Sequence, residues 1–118
     1  MDFFFVDPDV KRLPPAETRL TGLRAEPYPE GRRIRVGLDL TPFQQRPMIE
    51  ITLTDSFGAP SGGTSIVEPV GWKLELTLHI RKMTNTTGTY TLTAVLAYPD
   101  LGEVDRREIT VEVPSPAE

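Results

Sequence analysis

The sequence predicts an all-β fold, with seven antiparallel strands arranged as two facing sheets. Apolar and polar residues alternate with period two along most of the chain, as strands with one buried face require. Threonine and branched residues fill those segments, in keeping with a pleated, half-buried surface. Twelve prolines and nine glycines are spread over 118 residues, where they separate the segments. No ten-residue segment carries a helical stripe free of proline, and the best helical candidate, Pro15 to Leu20, allows a single turn.

The first strand is expected over Thr18 to Glu26, with imperfect alternation around Gly22, where a bulge resets the register. Arg32 to Leu40 places Ile34, Val36, Leu38 and Leu40 on one face and Arg33, Arg35 and Asp39 on the other. Ile49 to Asp55 repeats the pattern, with Ile49, Ile51 and Leu53 inward. Thr64 to Val67 is a short run. Trp72 to Arg81 turns Trp72, Leu74, Leu76, Leu78 and Ile80 inward, with Lys73, Glu75, Thr77, His79 and Arg81 outward. Thr89 to Tyr98 buries Tyr90, Leu92, Ala94, Leu96 and Tyr98. Val104 to Val113 ends with Ile109, Val111 and Val113 inward.

The links alternate in length. Pro27 to Gly31 and Pro99 to Glu103 suit tight reversals, and Pro69-Val70-Gly71 does similar work before Trp72. Residues 41–47, 56–62 and 82–88 are longer and can carry the chain from one sheet to the other. That order is the order of a seven-stranded antiparallel immunoglobulin-like β-sandwich, in which the fourth and fifth strands form a hairpin. The main alternative for the middle is a hairpin at Asp55-Ser56-Phe57-Gly58, which pairs the fourth strand with the third. Residues 1–16 read as an N-terminal arm, 17–113 as the sandwich and 114–118 as a C-terminal tail.

Gly88-Thr89-Tyr90-Thr91-Leu92-Thr93-Ala94 resembles the start of strand F in immunoglobulin-like and fibronectin type III-like domains. The resemblance covers Pro15 to Val113. It implies a tyrosine corner, in which the Tyr90 hydroxyl bonds back to nearby backbone. It also places Leu92 where antibody domains carry a cysteine. The chain departs from the antibody pattern in having no cysteine pair and no tryptophan in the third strand; Trp72 opens the fifth. Sandwiches of this kind serve as adhesion, scaffold, sugar-binding and spacer modules, so the fold leaves the function open.

Composition narrows the chemistry. Without cysteine there is no disulfide, thiolate nucleophile or cysteine-held metal. His79 is the single histidine, and on strand parity it lies on a solvated outer face. No G-x-S-x-G elbow occurs, and Gly62-Gly63-Thr64 leads into a strand rather than the helix that a phosphate cradle needs. Asp7-Pro8-Asp9 is too poor in oxygen ligands for a calcium loop. No catalytic residue and no cofactor is expected. The net charge of −4 argues against nucleic acid as a partner. No window approaches the ~18 apolar residues of a membrane span. The Met1 to Pro8 stretch carries an acid where a signal peptide carries a base, so a soluble, cytoplasmic protein is expected.

The expected activity is therefore binding, and the expected partner is another protein chain, with a second copy of this one as a candidate. Phe3, Phe4 and Phe5 need burial, either on their own domain or on another chain. Val95 and Ala97 sit in a threonine-rich outer face with sparse charge, which suits a contact surface or simply reflects β-propensity. An outer stripe of Arg32, Arg33, Arg35, Lys73 and Arg81 is expected to be interrupted by Asp39, Glu75 and Glu26. The loop residues Phe43, Gln44, Gln45 and Arg46, expected at one end beside the Pro99-Asp100-Leu101 turn, offer an alternative site for a carbohydrate or small ligand. Phe43 can equally be a core plug.

Overall fold

A computed structural model describes residues 11–62, 65–81 and 86–114. Their architecture is all-β, preceded by one 3-10 turn at Pro15–Glu17. The strands are β1 (Leu20–Pro27), β2 (Arg33–Leu40), β3 (Met48–Thr54), β4 (Ser65–Val67), β5 (Lys73–His79), β6 (Gly88–Tyr98) and β7 (Gly102–Val113). Six have seven residues or more, while β4 has three. They form a three-stranded sheet, β1-β2-β5, and a four-stranded sheet, β4-β3-β6-β7. Every pairing between strands is antiparallel.

The period-two residues build one core from both sheets. Ile34, Val36 and Leu38 of β2, Ile49, Ile51 and Leu53 of β3, and Leu92, Ala94 and Leu96 of β6 are all fully buried within it. The bulge expected at Gly22 is present, since the β1–β2 register shifts between Leu20 and Gly22. The extra residue lets Leu20 enter the core while Leu23 and Ala25 keep the inward phase.

The position of β4 corrects the expected hairpin between the fourth and fifth strands. β4 pairs with β3 instead, with Ile51 opposite Ser65. The cause is the turn chemistry at Asp55. Its Oδ1 accepts from the main-chain N–H groups of Phe57 and Ala59, at 2.9 and 3.0 Å. Gly58 takes φ +85° and donates its N–H to the Asp55 carbonyl. A reversal so well satisfied returns the chain along β3, and Ser61 and Gly62 touch the chain just beyond β5, at Arg81 and Ile80, before β4 begins.

The chain begins to dock earlier than residue 17. Leu13 bridges in parallel to Phe43, and its N–H donates to the Pro42 carbonyl at 2.9 Å. The arm residues Phe3, Phe4 and Phe5 lie outside the described residues. Among the described residues, no helix is long and apolar enough to cross a membrane.

Candidate functional site

The two outer sheet faces differ in how fully their side chains are used. On the three-stranded sheet, Arg24 meets Asp39 and Arg35 meets Glu75, each at 2.7 Å. Arg33 holds Glu30 through two bonds of 2.7 and 3.1 Å, and its guanidinium lies 4.2 Å from the Tyr28 ring centre. The hydrogen bond from Arg33 holds the Glu30 carboxyl below its ordinary range, and the same bonding raises the Arg33 guanidinium. Glu75 raises Arg35 in the same way. Two members of the expected basic stripe, Arg33 and Arg35, are thus held in ion pairs by Glu30 and Glu75. His79 is exposed at the end of this face, opposite Arg33.

The outer face of the four-stranded sheet is built mainly on β3, β6 and β7, with Ile66 of β4 in register with Glu50. Glu50 pairs with Val95, Met48 with Ala97, Thr52 with Thr93 and Thr54 with Thr91. Thr93 and Thr89 donate to Glu108 and Glu112 of β7, at 3.2 and 2.7 Å. Arg106 binds Glu103 at 2.9 Å and lowers its carboxyl. What remains is a shallow depression of about 170 Å³ lined by Met48, Glu50, Val95 and Ala97. The structure thus brings together the Val95 and Ala97 singled out from the sequence and adds Met48, which is 36% exposed. Met48 shares the parity of Glu50, and that is the signal by which the sequence could have pointed to it.

The end loops gather a second cluster. Phe43 is only 8% exposed, and its ring meets Trp72 edge-on at 5.8 Å. It is the core plug, so its ring is not offered to a ligand. The Gln44 side chain donates to the Arg12 carbonyl at 3.0 Å. Arg46 is exposed. Gln45 reaches the β6–β7 turn as expected, because the Tyr98 hydroxyl donates to its main-chain carbonyl at 2.7 Å. The same hydroxyl lies 3.2 Å from Thr18 Oγ1. Burial pushes the Tyr98 phenol up. Beside this knot is a cleft of about 320 Å³, lined by Pro14, Pro15, Gln45, Tyr98, Pro99 and Leu101 among others. Among the described residues no three histidine, aspartate or glutamate side chains are placed to hold a metal ion.

No family model and no curated protein matches the chain. Solved structures do resemble it. A β-glucuronidase from Ruminococcus gnavus in complex with D-glucuronic acid matches 82% of this chain with a TM-score of 0.56 at 13% identity. A Bifidobacterium dentium β-glucuronidase complexed with coumarin-3-O-glucuronide matches 84% with a TM-score of 0.51 at 19% identity. The chain spans 16% and 18% of those two proteins. At such identities the likeness is one of fold: the chain has the backbone arrangement of a short all-β part of much longer glycosidases.

Proposed function

We propose that this chain is a non-catalytic immunoglobulin-like β-sandwich module that works by contact with another protein chain, through the outer face of its four-stranded sheet. The strand order β1-β2-β5 and β4-β3-β6-β7 supports the fold reading. So does Tyr90, whose hydroxyl bonds back to the Thr86 carbonyl. The carrying observation is the apolar depression at Met48, Val95 and Ala97, bordered by Glu50, with Glu103 and Arg106 of β7 opposite Ala97 and Val95 in the sheet. An apolar centre inside a polar rim is the anatomy of a protein contact, whereas the hollow of about 530 Å³ on the opposite face is lined mainly by the charged side chains of Arg24, Asp39, Lys73 and Glu75.

A photo-crosslinking residue at Ala97 tests this in the native cell. One discrete partner is expected, lost when Val95→Glu is added, and absent when the crosslinker is moved to Arg24. Equal labelling from Ala97 and Arg24 would remove the reading.

A second reading has its own observation, the cleft beside Gln45. There a saccharide or small ligand would lie against Pro15, Pro99 and Leu101, with the Gln45 amide as donor. That the fold neighbours are glucuronidases, one of them holding D-glucuronic acid, gives this reading its substrate class. Amide-resolved NMR titration with mono- and oligosaccharides should move Gln45, Pro15-flanking and Leu101 signals. A titration that moves none of them removes it.

A further inference from the structure

The placement of β4 has a consequence on the opposite sheet. In the three-stranded sheet β5 is an edge strand, and its inner face is incompletely covered. Leu78 is 1% exposed, but Leu74 and Leu76 are only half-buried. The strand expected beside them lies in the other sheet.

Main-chain parity defines what the edge offers. The Leu40 N–H donates to the Trp72 carbonyl and the Ile80 N–H donates to the Arg32 carbonyl. Even-numbered residues of β5 therefore direct their peptide groups toward β2. By alternation, the peptide groups of Lys73, Glu75 and Thr77 point to the outer edge. The Arg81 N–H, on the same parity, donates outward to the Ser61 carbonyl at 2.7 Å. Among the described residues no strand pairs with β5 on that side, and Gly62 bridges to Ile80 just beyond its end.

The other edges are guarded. On β1, the Leu20 N–H and carbonyl are taken by Asp105 Oδ2 and Arg107 Nε of β7, each at 2.9 Å. β7 carries a register shift and these two inward charges. β4 has only three residues. β5 runs in unbroken register from Lys73 to His79, without proline, glycine or bulge. A regular edge of this kind is a template for another strand.

We propose that a second copy of this chain occupies that edge, β5 against β5 in antiparallel register, with Leu74 opposite Leu74 of the other copy. Only peptide groups of matching parity can bond across the edge, so the candidate registers are few. Centring on Leu74 puts Lys73 opposite Glu75 twice by symmetry and Trp72 opposite Leu76. Centring on Glu75 opposes two carboxylates. Centring on Leu76 matches Lys73 with His79 and Glu75 with Thr77, and centring on Thr77 opposes Lys73 to Arg81. The Leu74 register is thus the one that joins opposite charges, opposes no like charges and covers the half-buried leucines. Glu75 then lies between Arg35 of its own sheet and Lys73 of the other copy. The surface involved is separate from the four-stranded face, so either proposal can fail alone.

Sedimentation equilibrium of the full chain over a wide concentration range tests it. A reversible dimer is expected. Lys73→Glu and Glu75→Lys should each raise its dissociation constant about tenfold, since each replaces two attractive cross-strand pairs by repulsive ones. The double variant Lys73→Glu/Glu75→Lys should return to within about threefold of the parent, because the pairs reform with reversed polarity. That restoration also separates the interface from folding, because the carboxylate introduced by Lys73→Glu still opposes Asp39 within the sheet. A strict monomer at all concentrations overturns the proposal. So does a dimer that tolerates both single reversals, and one that dissociates with Val95→Glu places the copy on the other face.

Discussion

The hydroxyl of Tyr90 donates a 2.8 Å hydrogen bond to the main-chain carbonyl of Thr86, four residues earlier, and both residues are buried. The bond ties the start of β6 to the loop that brings the chain across from β5. Thr86 extends the tie, because its own hydroxyl donates to the Gly31 carbonyl in the β1–β2 turn. Tyr90→Phe keeps the ring in the core but leaves the Thr86 carbonyl without this donor. Removing one partner of a buried hydrogen bond costs about 1–3 kcal/mol. Urea denaturation should show a loss in that range with an unchanged slope, and a loss near zero would show that the corner does not stabilise the fold.

Much of this was legible because each signal was local. Gly88-Thr89-Tyr90 announces the corner, and Gly22 announces the bulge, from a few adjacent residues. The pairing of β4 was legible only as the alternative offered by Asp55-Ser56-Phe57-Gly58, because Ser65-Ile66-Val67 is too short to show which face is buried. Its partner was decided by the Asp55 turn. For Phe43 the sequence left a buried and a ligand-facing reading open, since the choice rests on its contact with Trp72, nearly thirty positions later in the chain. In the contact face, parity exposed Val95 and Ala97. Met48 escaped notice because it precedes the first inward residue of its strand.

Asp105 and Arg107 break the expected alternation, and their contacts with Leu20 explain why they are kept. Inward charges on an edge strand are costly unless something accepts them, and here the unpaired peptide of β1 does. Asp105→Ala should lower stability by about 1–2 kcal/mol and speed hydrogen exchange at the Leu20 amide. Asp105→Asn retains an acceptor oxygen and should protect that amide better than alanine does. Equal exchange in all three proteins would show that the carboxylate does not hold β1.

Tyr98 gives the protein an alkaline limit. Burial raises its phenol above the ordinary value of 10.0, so the folded state prefers the protonated form. The corresponding stability is fully present below pH 10.0 and is lost as pH climbs through the higher folded value. Tyr98→Phe cannot ionise. It should be less stable than the parent near neutrality, having lost the bond to the Gln45 carbonyl, and should show a flatter decline above pH 10.0. Denaturation curves taken from neutral to strongly alkaline pH would reveal parallel declines if Tyr98 ionises freely in the folded state.

Two glycines that each face a close side chain should respond differently to alanine. A Cβ at Gly37 would come within 2.6 Å of Arg24 Nη2, and one at Gly62 within 2.7 Å of Leu53 Cβ and Cδ2. At Gly37 the obstacle is the tip of a flexible side chain that is 57% exposed, so the guanidinium can swing away from Asp39. That sacrifices an exposed ion pair, worth about 0–1 kcal/mol. The reduced freedom of the unfolded chain returns roughly 0.4–1 kcal/mol, so Gly37→Ala should be close to neutral. At Gly62 the obstacle is Leu53, fully buried in the core, and its Cβ is fixed by the backbone of β3. Gly62 also bridges to Ile80 and so cannot retreat without loosening the contact between the two sheets. Gly62→Ala should therefore cost about 1–3 kcal/mol through overpacking. Thermal unfolding of the two variants side by side checks the contrast, and a Gly37→Ala loss as large as that of Gly62→Ala would mean that the Arg24 guanidinium is held far more tightly than its exposure implies.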